Sequence, residues 1–117
     1  AQCDRGLILG ALHDALIAEG WRVAASGAPD LCTQDRGRVR HAFAIQAHAA
    51  PRDLASAAGM LLLSTAALKP VPRRILVHPG KLPTGLAPTL AAGGIQTLSY
   101  VWSAGRPVFA GLSASLG

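Results

Sequence analysis

Segment 28–50 constrains the fold more than any other part of this 117-residue chain. It reads A-P-D-L-C-T-Q-D-R-G-R-V-R-H-A-F-A-I-Q-A-H-A-A. A short run at 30–33 is followed by a glycine-containing turn at 34–37 and by a longer run at 39–49. Two such runs on either side of a turn predict a β-hairpin. The hairpin is therefore the unit around which the rest of the chain is organised.

Three polar residues of this hairpin are candidates for chemistry. Asp30 follows Pro29 at the mouth of the first strand, whereas Gln46 and His48 belong to the second strand. Because side chains alternate along a strand with a period of two, Gln46 and His48 share one face. An acid and a polar pair across a hairpin are arranged to hold a metal ion and a phosphate. A structural interpretation stays open, since Asp is common in turns and a strand histidine is usually a hydrogen-bonded structural residue.

The remaining sequence alternates between helical and strand patterns. Leu9, Leu12 and Leu16 form an apolar stripe with helical spacing, and Pro51 suits the first turn of a second helix. The predicted elements are a helix at 6–19, strands at 21–26, 30–33 and 39–49, a helix at 51–68, a strand at 73–78, a helix at 83–92, strands at 95–101 and 107–112, and a frayed tail at 113–117.

The order of these elements predicts the topology. The first three strands pair antiparallel through short turns, and a helical crossover makes the fourth strand parallel to the third. We therefore expect one α/β domain over residues 1–117. Its mixed β-sheet is flanked by helices, with an αβββαβ-type core followed by a further helix and further strands.

The composition favours a folded, basic protein. Half of the residues are hydrophobic and 15% are charged, which is enough apolar material for a core. Eleven basic residues against six acidic ones give a net charge of +5. This excess favours anionic partners such as nucleic acid. A mildly basic protein without such a partner would have the same composition, because charge bears on association rather than on fold.

Cysteine content and hydropathy indicate the cellular setting. Cys3 and Cys32 form neither a disulfide framework nor a metal-ligand spacing, so we expect free thiols in a reducing cytoplasm. The longest uncharged apolar run, at 54–68, is too short and too rich in Ala and Ser to span a bilayer. No signal peptide is visible in the sequence. We therefore expect a cytoplasmic protein with no membrane partner.

The element order, the Pro29-Asp30 pair and the polar pair two residues apart on the next strand resemble the restriction-endonuclease-like superfamily, also called PD-(D/E)xK. That superfamily has an αβββαβ core. The helix that ends at Gly20-Trp21 and the helix that leads into Gly94-Ile95 also fit its pattern. The resemblance covers roughly residues 6–100 and implies a metal-dependent nuclease fold.

The resemblance also implies roles for individual residues. Asp30 matches the family's first acid, while Gln46 stands where the family has its second acid and His48 where it has lysine. A Mg²⁺ or Mn²⁺ ion would be held by Asp30 and Gln46, and His48 would orient or deprotonate the attacking water. Asp14, on the first helix, would replace the helix acid that many members carry. The site then has one clear carboxylate where two are usual.

The basic residues form three groups along the chain. Three arginines alternate at the start of the hairpin's second strand and would project to one side, which suits a phosphate backbone. A solvated hairpin tip is the structural alternative. A second group consists of Lys69, Arg73 and Arg74, at or just before the start of the predicted strand at 73–78. A third group consists of His78 and Lys81. The predicted nucleic-acid-binding residues are Arg36, Arg38, Arg40, Arg73, Arg74 and Lys81.

Two functions follow from these patterns. The first is a nuclease-like domain that binds nucleic acid, with DNA expected rather than RNA, and that hydrolyses phosphodiesters through a remodelled metal site. The second is a catalytically inactive interaction or structural domain, such as a homodimer formed through the helix at 54–68 and the strand at 108–112. No phosphate-binding glycine loop or nucleophile-elbow motif is present, which argues against nucleotide cofactors and serine hydrolase chemistry.

Overall fold

A computed structural model describes the backbone of residues 2–25, 27 and 29–117, and the side chains of these ranges from residue 5 onward. A six-stranded sheet forms the centre of the domain, with its strands side by side in chain order. The elements are α1 (Gln2–Ala18), β1 (Arg22–Ala24), β2 (Leu31–Asp35), β3 (Arg38–Ile45), α2 (Pro51–Thr65), β4 (Arg73–Pro79), α3 (Leu86–Ala92), β5 (Ile95–Ser103), β6 (Arg106–Phe109) and α4 (Leu112–Leu116).

The sheet is mixed because of how its strands are connected. Two-residue turns make β2 antiparallel to β3 and β5 antiparallel to β6, and β1 is antiparallel to β2. The crossovers through α2 and α3 make β3, β4 and β5 parallel to one another. The predicted fold class, a mixed sheet flanked by helices, is confirmed. Within the described residues, no helix is both long and apolar enough to cross a membrane.

The core has two layers because alternate residues of each strand face opposite sides. Phe43 and Ile45 of β3 face α1, whereas Ala42 and Ala44 face α2. The α1 layer also contains Tyr100, and all five side chains are essentially inaccessible to solvent. Each large apolar side chain buried in this way contributes about 1.5–3 kcal/mol. The sheet is therefore covered on both faces around its parallel strands.

Several predicted bounds were wrong. The strand predicted at 39–49 is β3, which ends at Ile45, and Gln46–Ala50 form a loop instead. Ala50, at the end of this loop, has an extended backbone because it precedes Pro51, the first residue of α2. The strand predicted at 21–26 is only Arg22–Ala24, and Ser26 lies outside the described residues.

The predicted frayed tail was also wrong. Residues Leu112–Leu116 form α4, and Ser115 and Leu116 are buried. Leu116 joins the apolar layer beneath α1, which provides the tertiary packing that a five-residue helix needs. The edge strand β6 is correspondingly shorter than the predicted 107–112 strand and ends at Phe109.

The β2–β3 turn and the β5–β6 turn each consist of two residues with positive φ. Arg36 and Gly37 join β2 to β3 with φ of 53° and 78°, and Ala104 and Gly105 join β5 to β6 with φ of 52° and 78°. This is the pattern of type I′ turns, whose twist matches that of the flanking strands. A residue other than glycine costs about 1–2 kcal/mol in this conformation. Arg36 and Ala104 are therefore strained.

We predict that Ala104→Asn stabilises the domain. The substitution creates an Asn-Gly pair, which type I′ turns prefer, and should raise the free energy of unfolding by about 0.5–1 kcal/mol. Arg36→Asn should have the same effect at the other turn. Urea denaturation measures both changes. Ala110→Asn is the control, because exposed Ala110 does not have positive φ. Equal effects of Ala104→Asn and Ala110→Asn would contradict the assignment of strain to the turns.

Candidate functional site

Asp30 caps the end of the β2–β3 ladder. It precedes β2 directly and is only 7% exposed. Its Oδ2 accepts a hydrogen bond from the Ile45 N–H at 2.7 Å, and its Oδ1 accepts one from the Arg5 guanidinium on α1. Both carboxylate oxygens are therefore engaged by donors of the protein, and the negative charge is neutralised by an arginine.

The surroundings of Asp30 do not fit a divalent-cation site. Mg²⁺ and Mn²⁺ sites are built from oxygen ligands that usually include one or two carboxylates. The Arg5 guanidinium lies where it would repel such an ion, and the described residues contain no group of three or more His, Cys, Asp or Glu side chains that could hold one. The binding of Mg²⁺ or Mn²⁺ therefore stays a prediction that rests on the resemblance alone.

Asp14 is not brought to Asp30. Its side chain is 87% exposed and borders a groove with Arg106 of β6. It lies nine residues beyond Arg5 on α1, about 13 Å along the helix axis. The register of α1 therefore places an arginine, rather than the predicted acid, against Asp30.

Gln46 and His48 do not share a strand face, because β3 ends before them. The backbone of Gln46 is held in place: its N–H donates to the Val77 carbonyl at 2.9 Å, and its carbonyl accepts from the Tyr100 hydroxyl at 3.2 Å. His48 is exposed in the loop that leads to α2. The predicted pairing of Gln46 with His48 was therefore wrong, although Gln46 itself remains at the edge of the sheet close to Asp30.

A different histidine lies beside Gln46. The bond from the Gln46 N–H to Val77 continues the parallel register and places Gln46 next to His78 on β4, which in turn pairs with Ser99 on β5. His78 is only 4% exposed, and its burial lowers its pKa, an effect opposed by its contact with the Pro79 carbonyl. The sequence signal for it was a histidine that ends an apolar strand, at the edge where α/β proteins bind ligands.

Most of the basic residues gather at the opposite end of the sheet. Strand register places Arg38 next to Asp35 and Arg73 next to His41, and Arg40 borders a groove with Pro70 and Arg73. Arg22 begins β1 beside Gln34, and Lys69 lies in the loop that leads to β4. We call this set the basic end; its members are Arg22, Arg36, Arg38, Arg40, Lys69, Arg73 and Arg74.

The basic end carries the whole net charge of the chain. Two acids accompany its seven cations, namely Glu19, in a groove with Arg22 and Arg36, and Asp35. The local excess is therefore five positive charges, which equals the net charge of +5. The four basic and four acidic residues elsewhere cancel. Lys81 lies beyond β4 at the opposite edge, so the structure separates it from the other predicted nucleic-acid-binding residues.

The individual arginines are held in different ways. Arg74 Nε donates to the Thr65 hydroxyl at 2.8 Å on the α2 face, whereas Arg73 Nη1 lies 3.5 Å from the Gln96 side-chain oxygen on the other face. Arg40 lies 3.6 Å from the Asp35 carboxylate. Arg36 belongs to the turn rather than to the strand. The register runs from Gln34↔Val39 to Thr33↔His41 and skips Arg40, so a bulge interrupts the alternation along β3. The prediction that three alternating arginines share one face was therefore wrong.

His41 lies directly beneath the basic end. Its Nε2 is 2.9 Å from the Leu116 carbonyl, which can only accept, so Nε2 carries the proton. Its Nδ1 is 2.7 Å from the Thr33 hydroxyl and accepts from it in the neutral ring. Burial, with smaller contributions from Arg73 and Arg40, lowers the pKa of His41. Sequence reasoning missed this residue, which joins α4 to the sheet.

Among the described residues, exposed large apolar side chains lie on α1, on α2, in the loop before β4 and on β5 and β6. Leu63 on the outer face of α2 is 82% exposed, and the cross-strand pair Val101 and Val108 is 59% and 50% exposed. The residues Leu54 and Leu61 of the predicted dimer helix face the core instead. The β6 edge also contains Pro107, which removes one backbone donor. The homodimer stays a prediction, and Leu62, Leu63 and Val108 are exposed within its predicted segments.

Comparisons with known proteins returned no relatives: no family model, curated protein or solved structure matches this chain. The candidate site is therefore argued from its own geometry and charges.

We predict that Asp30 acts as a structural cap. Asp30→Ala leaves the Ile45 N–H without its acceptor and should lower the free energy of unfolding by about 2 kcal/mol. Asp30→Asn keeps a carbonyl acceptor and should cost less. Thermal unfolding with and without millimolar Mg²⁺ or Mn²⁺ should show no stabilisation of the unsubstituted protein, because a ligand of the native state would raise its midpoint. Stabilisation by metal that disappears in Asp30→Asn would contradict the cap.

A second prediction concerns pH. Because the pKa of folded His41 lies below the ordinary value of 6.5, the unfolded chain takes up the proton first as pH falls. The contribution of neutral His41 to the free energy of unfolding is therefore complete above pH 6.5, and it is lost progressively as pH falls below 6.5. His41→Gln keeps a donor for the Leu116 carbonyl but cannot titrate. The substitution should therefore reduce the decrease in the free energy of unfolding between pH 7 and 5. It should not abolish that decrease, because His78 accounts for the remainder. An unchanged slope in His41→Gln would contradict the assignment.

Proposed function

We propose that this domain binds nucleic acid, with DNA expected rather than RNA, through phosphate contacts at the basic end. The observation that supports this function is the concentration of the whole net charge at one end of the sheet. A surface of one sign attracts a polyanion and raises its rate of association. Neutralising phosphates with arginine and lysine also releases condensed counterions, which supplies most of the affinity for a nucleic-acid backbone.

The chemistry of the basic end suits phosphate. Six of its seven cations are arginines, whose planar guanidinium matches two phosphate oxygens at once. Of the seven, only Arg74 is partly covered, and the others are exposed. From Arg22 on β1 to Arg74 on β4 the set spans three strand intervals, about 14 Å. That length corresponds to roughly four phosphates along one strand of a duplex.

The position of Arg36 in the β2–β3 turn adds support. Arg36 has a φ of 53° at a position where glycine, asparagine or aspartate is preferred. Its side chain is exposed at the tip of the hairpin, so no packing offsets the strain. A cation at the tip extends the basic end beyond the sheet, where it can reach a phosphate or enter a groove.

Binding, rather than hydrolysis, is the activity that the geometry favours. Arg38 and Ile45 begin and end β3, so the basic end and Asp30 are separated by seven residues of strand, about 23 Å. The phosphates bound at the basic end would lie about 23 Å from Asp30, whose charge is already neutralised by Arg5. We therefore assign the phosphate contacts to the basic end and no catalytic step to Asp30.

Salt-dependent binding tests this function. Fluorescence anisotropy with a labelled 20-base-pair duplex should give a linear fall of log affinity with log salt between 50 and 300 mM. With four phosphates neutralised, the expected slope is about −3.6. The double variant Arg38→Gln/Arg73→Gln should reduce the slope by about 1.8 and the affinity at 50 mM by tenfold or more.

Two controls separate the basic end from net charge and from stability. Lys81→Gln/Arg106→Gln removes the same charge elsewhere and should change the affinity less than twofold. Arg36→Asn should weaken binding although it stabilises the fold, while Ala104→Asn stabilises the fold without weakening binding. Equal losses in the two double variants, or binding that ignores salt, would contradict the proposal.

A further inference from the structure

We propose that a groove at the carboxyl ends of β4 and β5 binds the phosphate group of a small phosphomonoester. The groove lies between these strands and the loop that leads to α3, and its volume is about 480 Å³. Its floor is formed by His78, Thr97 and Ser99, and Lys81 lies at its rim. This inference is independent of the proposed function, because the groove and the basic end lie at opposite ends of the strands.

The floor of the groove interrupts an apolar face of the sheet. His78 pairs with Ser99 across the two strands, and Thr97 lies two residues earlier on the same face of β5. Closer to the start of the strands, this face carries Leu76 and Ile95, which are buried in the apolar layer beneath α2 and α3. Three polar side chains therefore converge where continued packing would require apolar ones.

The donors of the groove select an anion. Three hydroxyls (Thr84, Thr97 and Ser99), an imidazole and an ammonium line it, and no carboxylate does. These groups can donate hydrogen bonds to phosphate oxygens, and the lysine supplies a positive charge. The Nδ1 atom of His78 lies 3.4 Å from the Pro79 carbonyl oxygen, so Nε2 is the ring nitrogen that a ligand would meet.

The rest of the groove suits the carbon part of an ester. Leu82, Pro83 and Pro88 form an apolar wall opposite the polar floor. The volume lies within the range of small-molecule pockets, which combine apolar walls with a few polar groups. The groove lies beyond the carboxyl ends of the parallel strands β4 and β5, where the loop to α3 leaves the sheet. These features together indicate a phosphomonoester with a compact apolar group.

NMR titration with phenyl phosphate tests the site. At pH 7 and constant ionic strength, the ring resonances of His78 should shift and saturate at millimolar ligand. Phenol, which lacks the phosphate, should leave them unchanged. Thr97→Val, which keeps the side-chain shape but loses the hydroxyl, and Lys81→Met should each weaken binding at least fivefold. Lys69→Met removes a charge at the basic end and should leave binding unchanged.

Several results would overturn the proposal. One is a shift of the His78 ring that stays linear in ligand concentration. Another is an equal response to phenol, which would indicate an apolar pocket only. A third is an equal loss in Lys69→Met and Lys81→Met, which would indicate general electrostatic attraction. If Thr97→Val does not fold, the affinity of Lys81→Met tests the proposal. Lys81 is exposed, so this substitution leaves the core intact.

Discussion

The bonds of the Asp30 carboxylate hold three elements of the domain together. A buried charge is tolerated only when it is paired and hydrogen-bonded, and Asp30 meets this condition through Arg5 of α1 and the Ile45 N–H of β3. The interaction fixes α1 across the sheet and ends the β2–β3 ladder. Arg5 also neutralises the charge of Asp30 at this end of the strands. The cations without a matching acid therefore lie at the basic end.

The domain therefore has two chemically different ends. At the basic end, exposed arginines gather around the first residues of β3 and β4, above the buried His41. At the carboxyl ends of the parallel strands, His78 and Ser99 form the polar floor of a groove. About 23 Å of strand separates the two ends. A polyanion at one end and a small phosphate ester at the other would thus occupy separate surfaces.

Local patterns predicted the element order and the mixed sheet, because helical and strand periodicities are local properties. They failed where contacts distant in sequence decide the structure. The alternating pattern extended the predicted strand to Gln46 and His48. The strand β3 instead ends at Ile45, whose N–H donates to the distant Asp30. The burial of Leu116 depends on the docking of α4 against the sheet. The partners of His41 lie 8 and 75 residues away, and no local pattern reveals them.

The most direct test of the basic end is a chemical-shift map of the ¹⁵N-labelled protein titrated with an unlabelled DNA duplex at 50 mM salt. Binding at the basic end predicts that the largest amide shifts lie at residues 36–41 and 69–74. The amides of residues 78–85 and of Ile45 should change little. The largest shifts around Asp30, Gln46 and His78 would contradict the account and return the predicted nuclease site to consideration.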